Sequence, residues 1–144
     1  MRLTTYTDYG LRLLMYVALK DGELATIQEV ADAYAISKNH LMKVAYNLGQ
    51  YDYLETVRGR GGGLRLARAP ERINLGDVVR RMEDDFAMVE CFEATNTCSI
   101  TRACRLKGIL GEALNAYLVV LDKYTLADLL GHSKQTLAKM LLAS

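Results

Sequence analysis

Three cysteines, Cys91, Cys98 and Cys104, fall inside the stretch ECFEATNTCSITRACRLKG, and the rest of the 144 residues has none. Thiolates are strong nucleophiles and soft metal ligands, so a segment that gathers every thiol of a chain is a candidate site. Three is an odd number, so the thiols cannot all pair with one another as disulfides. The pattern C-x6-C-x5-C is too wide for the C-x2-C pairs of a zinc ribbon, and it is not the close-set run of a bacterial ferredoxin. Asn96, Thr97, Ser99, Thr101 and Gly108 favour a loop wrapped around a bound group. On spacing alone three readings stay open: an iron–sulfur cluster, a zinc ion, or three unligated thiols. Three thiolates would leave one coordination position to another donor or to solvent, and neither His40 nor His132 is near in sequence.

The elements around this segment have a recognisable order. Leu11, Leu14, Met15, Ala18 and Leu19 recur at helical spacing, with Thr5 placed as N-cap and Asp8 three residues on. A second helix opens on a capping box, Thr26 with Glu29. After a short turn, Ser37 caps a third helix with Leu41, Val44, Ala45 and Leu48 on its apolar face and Gly49 starting its end. Short strands at Thr56–Val57 and Leu64–Leu66 flank a glycine-rich hairpin tip. Pro70 closes that unit. Asn74 caps a fourth helix, LGDVVRRMEDD, with Ile73 and Val78 placed as a staple. Beyond the cysteines a long helix, LKGILGEALNAYLVVLDKY, carries Leu106, Leu110, Ala113, Leu114, Tyr117, Leu121 and Tyr124 on one stripe. Thr125 caps a short helix, and the tail can add another.

Three helices followed by a strand–loop–strand hairpin form the order of a winged helix-turn-helix. The expected fold is therefore mainly α with a small β-hairpin: a DNA-binding domain over 1–81, a cysteine loop over 82–108, and a long helix with a tail over 109–144. The first turns of the third helix offer Ser37, Lys38, Asn39, His40 and Lys43 to phosphates or base edges. Arg58 and Arg60 sit at the hairpin tip, where glycines let the backbone approach DNA closely.

Composition agrees. Net charge is only +1, but residues 1–81 hold 12 Lys+Arg against 9 Asp+Glu, and residues 82–144 hold 6 against 8. Apolar content of 51% suits one domain with a real core, or a small domain with an appended element. The N-terminus does not read as a signal peptide and no apolar run is long enough for a membrane span, so a cytoplasmic protein is expected. No Ser/His/Asp pairing, P-loop or paired-carboxylate motif points to an enzyme. An electron-transfer iron–sulfur protein is the rival from another class, and it would leave the third helix and basic wing without a purpose.

The segments MRLTTYTDYGLRLLMY and ISKNHLMKVAYNLGQYDYLETVRGRGGGLRLA, with the three cysteines, resemble the iron–sulfur-sensing winged-helix repressors that include IscR, RirA and NsrR. TDYGLR, NHLMKV with NLGQ, and VRGRGGGLRL place the resemblance closest to the nitric-oxide-sensing branch. The IscR-type members carry a histidine just beyond the third cysteine, where this chain has CRLKG. The resemblance implies a homodimer, paired through Leu110, Ala113, Leu114, Tyr117 and Leu121, on inverted-repeat operator DNA. It implies an iron–sulfur cluster, [4Fe-4S] or alternatively [2Fe-2S], held by Cys91, Cys98, Cys104 and the Asp8 carboxylate of the partner. The expected function is a repressor that releases its operator when nitric oxide attacks that cluster; iron or cluster status is the alternative signal.

Overall fold

The computed structural model describes residues 1–142. Helices α1 (Thr5–Leu19), α2 (Ile27–Tyr34) and α3 (Lys38–Gln50) precede a hairpin of β1 (Leu54–Val57) and β2 (Gly63–Leu66). Helix α4 (Leu75–Met82), the cysteine segment, the long α5 (Leu106–Asp122), and the short α6 (Leu126–Leu130) and α7 (Lys134–Leu142) follow.

Local chemistry explains most of the boundaries. Thr26 and Glu29 close a reciprocal capping box on α2, and Ser37 and Asn74 accept the first free N–H groups of α3 and α4. Between α2 and α3, Ala35 turns the chain in the left-handed conformation at φ 54°. Leu13, Leu14 and Val17 of α1, Val30 of α2, and Leu41, Val44 and Leu48 of α3 then meet Tyr53, Leu64, Ile73, Val78 and Leu126 in one core.

Three expected boundaries move, each for a tertiary reason. The cap of α1 is Thr4, not Thr5. Thr4 Oγ1 accepts from the Thr7 N–H at 3.3 Å, while the Thr4 N–H and hydroxyl both donate to Glu83 Oε1, at 2.8 and 3.0 Å. The same contact ends α4 at Met82, because Glu83 turns extended to reach Thr4. Strand β1 begins at Leu54, two residues earlier than expected, in register Leu54↔Leu66 through Val57↔Gly63. Tyr53 is buried beneath it, and the Ala67 N–H continues the pairing to Tyr53 O at 3.0 Å. Ala25 adds a third edge, exchanging both backbone bonds with Leu64 at 2.9 and 2.7 Å.

Gly62 makes the tip of the hairpin possible. A Cβ there would collide with the Val57 carbonyl, which is backbone and cannot swing aside. Gly62→Ala is therefore expected to cost roughly 1–3 kcal/mol of stability through forced overpacking. A lowered urea midpoint together with weakened DNA binding checks this; an unchanged midpoint would contradict the wing geometry.

Helix α5 contributes no fully buried residue of its own chain. It is anchored at its C-terminal end, where Arg80 of α4 donates from Nη1 and Nη2 to the two carboxylate oxygens of Asp122 and Asn74 Nδ2 donates to Asp122 O at 2.7 Å. The Arg80 contact holds the Asp122 carboxyl below its ordinary value.

Candidate functional site

The outward side of α3 presents the expected polar set. Lys38, Asn39, His40 and Lys43 are exposed, opposite the buried row of Leu41, Val44, Ala45 and Leu48. No acid lies in the first turn of α3, so its N-terminal end is open to anions. Ser37 is committed to capping, with Oγ accepting from the His40 N–H at 3.5 Å. The His40 ring lies 6.2 Å from the Tyr9 ring of α1. Exposed Met42 and Tyr46 share this side, and residue type alone gives no sign of it, since neither is a charged donor and both suit a helix core.

The basic stretch 58–68 divides into two pairs. Arg65 Nε donates to Glu55 Oε2 at 2.9 Å across the hairpin. Arg68 donates to the Asp52 and Tyr51 carbonyls at 3.1 and 3.3 Å and lies over the Tyr53 ring at 4.9 Å, so it holds the turn after α3. Arg58 and Arg60 are exposed at the tip and make no hydrogen bond or ion pair among the described residues. Charges left unpaired on a glycine-rich tip are available to phosphates.

The cysteine segment is organised by its own polar side chains. Glu90 accepts from the Thr97 hydroxyl and N–H at 2.7 and 2.9 Å. Asn96 Oδ1 accepts from the Cys98 N–H at 2.9 Å, and the Thr101 hydroxyl donates to Cys98 O at 2.9 Å. The Thr97 hydrogen bonds hold the Glu90 carboxyl below its ordinary value. That contribution to loop order is present above the ordinary carboxylate range and is lost as pH falls through the lowered value.

All three thiols are free: Cys91 and Cys104 half-buried, Cys98 exposed. Cys104 opens on a groove of about 720 Å³ bounded by Phe86, Phe92, Gly108, Gly111 and Leu114. Among the described residues no three Cys, His, Asp or Glu side chains converge, so the single chain does not bring Asp8 and the cysteines together. Asp8 does not act as a side-chain cap. Its carboxylate pairs with Arg12 one turn on, at 2.9 Å. The Arg12 guanidinium in turn lies 6.0 Å from the Tyr9 ring centre and 5.9 Å from that of Tyr34. The Tyr34 hydroxyl, pushed up to about 12 by burial, donates to Arg12 O at 3.0 Å.

On α5, Leu110, Leu114, Tyr117 and Leu121 are half-buried and Ala113 is exposed. Leu114 and Tyr117 turn inward to a groove shared with Met1, Leu3 and Phe86. The outermost stripe is Leu106, Ile109, Ala113, Ala116 and Val120, all exposed and spaced alternately three and four residues apart. Periodicity could not single it out, because α5 is apolar on several faces.

A family model described as Rrf2, iron-dependent transcriptional regulator, matches residues 3–132. The chain belongs to the Rrf2 family. It is 58% identical to the HTH-type transcriptional regulator NsrR of Bacillus subtilis, over 98% of this chain and 97% of that one. It is 54% identical to NsrR of Halalkalibacterium halodurans, over 99% of both. Among solved structures, the global cysteine regulator CymR of B. subtilis is 27% identical with a TM-score of 0.71, covering 90% of this chain and 95% of its own. IscR of T. potens is 25% identical with a TM-score of 0.72, covering 94% and 90%. These Rrf2 proteins share the winged-helix fold and are regulators rather than enzymes. No helix among the described residues is long and apolar enough to cross a membrane.

Proposed function

We propose that this Rrf2 protein is a homodimeric transcriptional repressor that senses nitric oxide through an iron–sulfur cluster and then releases its operator DNA. The observation that carries the reading is the placement of three free thiols on one segment between a winged helix and an unburied helix. The NsrR name of relatives at 45–58% identity supports the nitric oxide branch. The donor set fits an iron–sulfur group: soft sulfur ligands on a polar loop, beside an apolar groove at Cys104. Cys91, Cys98 and Cys104 would hold it, with Asp8 of the partner subunit as fourth ligand. When bound, the cluster supplies iron that nitric oxide attacks.

The chain's own residues do the rest. Helix α3 enters the major groove and the Arg58–Arg60 tip follows the backbone into the minor groove. The outward stripe of α5, at heptad spacing, pairs with its copy, so that Ala113 of the expected set lies in the interface while Leu114 and Tyr117 support it from behind. The Asp8–Arg12 pair is exposed, with side chains 45% and 43% accessible, so it is worth under about 1 kcal/mol and exchanges readily. Arg12 packs on Tyr9, and Tyr9 lies beside His40, so a change of partner at Asp8 is felt at the start of α3. The cysteine loop, tied to α1 of the other subunit, thereby fixes the spacing of the two recognition helices.

Anaerobic purification followed by an absorbance spectrum and native mass spectrometry tests the assembly. A coloured dimer carrying iron and sulfide is expected; a colourless protein with one zinc per chain would favour the zinc reading. The wing has its own test. Arg60→Ala should weaken binding to operator and random duplexes alike and lower the salt slope by about one. An unchanged slope would remove Arg60 from the interface.

A further inference from the structure

Two large apolar side chains stand out on an otherwise polar recognition surface. Met42 and Tyr46 lie one turn apart on α3 and are 53% and 67% exposed. They edge an open groove of about 680 Å³ whose other walls are Lys43, Asn47, Tyr6 and Asp84. Tyr6 and Asn47 are bonded to one another, and Asp84 lies after α4 rather than on the helix. Neither Met42 nor Tyr46 belongs to the core or to the hydrophobics packed on it. Side by side on one helix face, they form a contiguous exposed patch of the kind that marks an interaction site.

We propose that Met42 reads a thymine in the operator through its 5-methyl group, with Tyr46 shielding the same contact from water. This rests on α3 being the recognition helix. The argument comes from what the helix offers. Lys38 and Lys43 are donors suited to guanine O6 and N7, and Asn39 matches the adenine N6/N7 edge. The thymine 5-methyl is the major-groove feature that an apolar side chain recognises. Met42 is the fifth residue of α3, in the N-terminal half that reaches base edges. Its unbranched thioether adapts to a methyl without a fixed rotamer. Lys38 and Lys43 flank Met42 on α3, so the apolar patch lies between cationic side chains of the helix, and the acid of the groove, Asp84, stands off the helix.

The test replaces thymine by uracil, which removes the methyl group and leaves every hydrogen bond of the base pair. Cluster-loaded protein selects duplexes anaerobically from a random-sequence pool, and each thymine of the selected duplex is then replaced singly. Wild type is expected to lose about three- to fivefold in affinity at one thymine of each half-site, the worth of one buried methyl. Met42→Ala should lose a similar factor on the unmodified duplex and become indifferent to uracil at that position, while Met42→Leu keeps most of the effect. Thermal unfolding of Met42→Ala should match wild type, because the side chain is outside the core. A duplex whose thymines are all replaceable without loss would overturn the proposal. So would Met42→Ala that stays fully sensitive to uracil. Failure to enrich any duplex would instead overturn the DNA-binding reading beneath it.

Discussion

Alanine at Cys91, Cys98 or Cys104 is expected to abolish cluster assembly in each single variant under anaerobic reconstitution. Two thiolates and a carboxylate are a poor set for iron that needs sulfur donors at most positions. Iron and sulfide should fall to background, and operator affinity should drop to that for random DNA, on the order of a hundredfold or more. None of the three side chains belongs to the buried core, so the unfolding free energies of the cluster-free variants should lie within about 0.5 kcal/mol of cluster-free wild type. Full iron and sulfide in all three variants would show that the cysteines hold no cluster. Loss of folding in all three would instead assign the cysteines a structural role.

Asp8→Ala should have a smaller effect on assembly and a large one on coupling. The structure sharpens this expectation, because Thr4 rather than Asp8 caps α1. What Asp8 gives the isolated chain is a favourable charge in the first helical turn and an exposed pair with Arg12. Together these are worth under about 1–2 kcal/mol. The variant should therefore fold normally, bind a cluster through three thiolates, and show an altered absorbance spectrum with faster loss in air. Thr4→Ala is the matching control: it removes the cap and the hydroxyl bond to Glu83 while keeping the backbone N–H bond, costs about 0.5–2 kcal/mol, and leaves the spectrum unchanged. An unchanged spectrum in Asp8→Ala would show that the fourth ligand lies elsewhere.

The fold was legible wherever the cause was local. The Thr26–Glu29 box, the Ser37, Asn74 and Thr125 caps, and the glycine-rich tip are each set by residues within a few positions of one another. What escaped depends on distant neighbours. Thr4 and Thr5 are the same residue type, and only the contact to Glu83, 79 residues on, decides between them. The start of β1 depends on Tyr53 being buried, and the third edge at Ala25 on its meeting Leu64.

The site was legible to a similar depth. Residue types marked the thiols and the polar face of α3. They could not show that Arg65 and Arg68 are spent within the wing while Arg58 and Arg60 are not. Nor could they show which stripe of α5 faces outward, since its inner and outer rows are both apolar. Met42 and Tyr46 read as ordinary helix residues until their exposure is known.

The most direct measurement is operator binding by anaerobic, cluster-loaded protein across a nitric oxide titration, with Asp8→Ala alongside. Wild type is expected to bind tightly at first and to lose its operator within a few equivalents of nitric oxide per cluster. Asp8→Ala should start weaker and change less, because its cysteine loop is no longer tied to α1. Wild type that keeps its operator throughout, yet releases it when iron is removed by a chelator, would contradict nitric oxide sensing and make the chain a sensor of iron status.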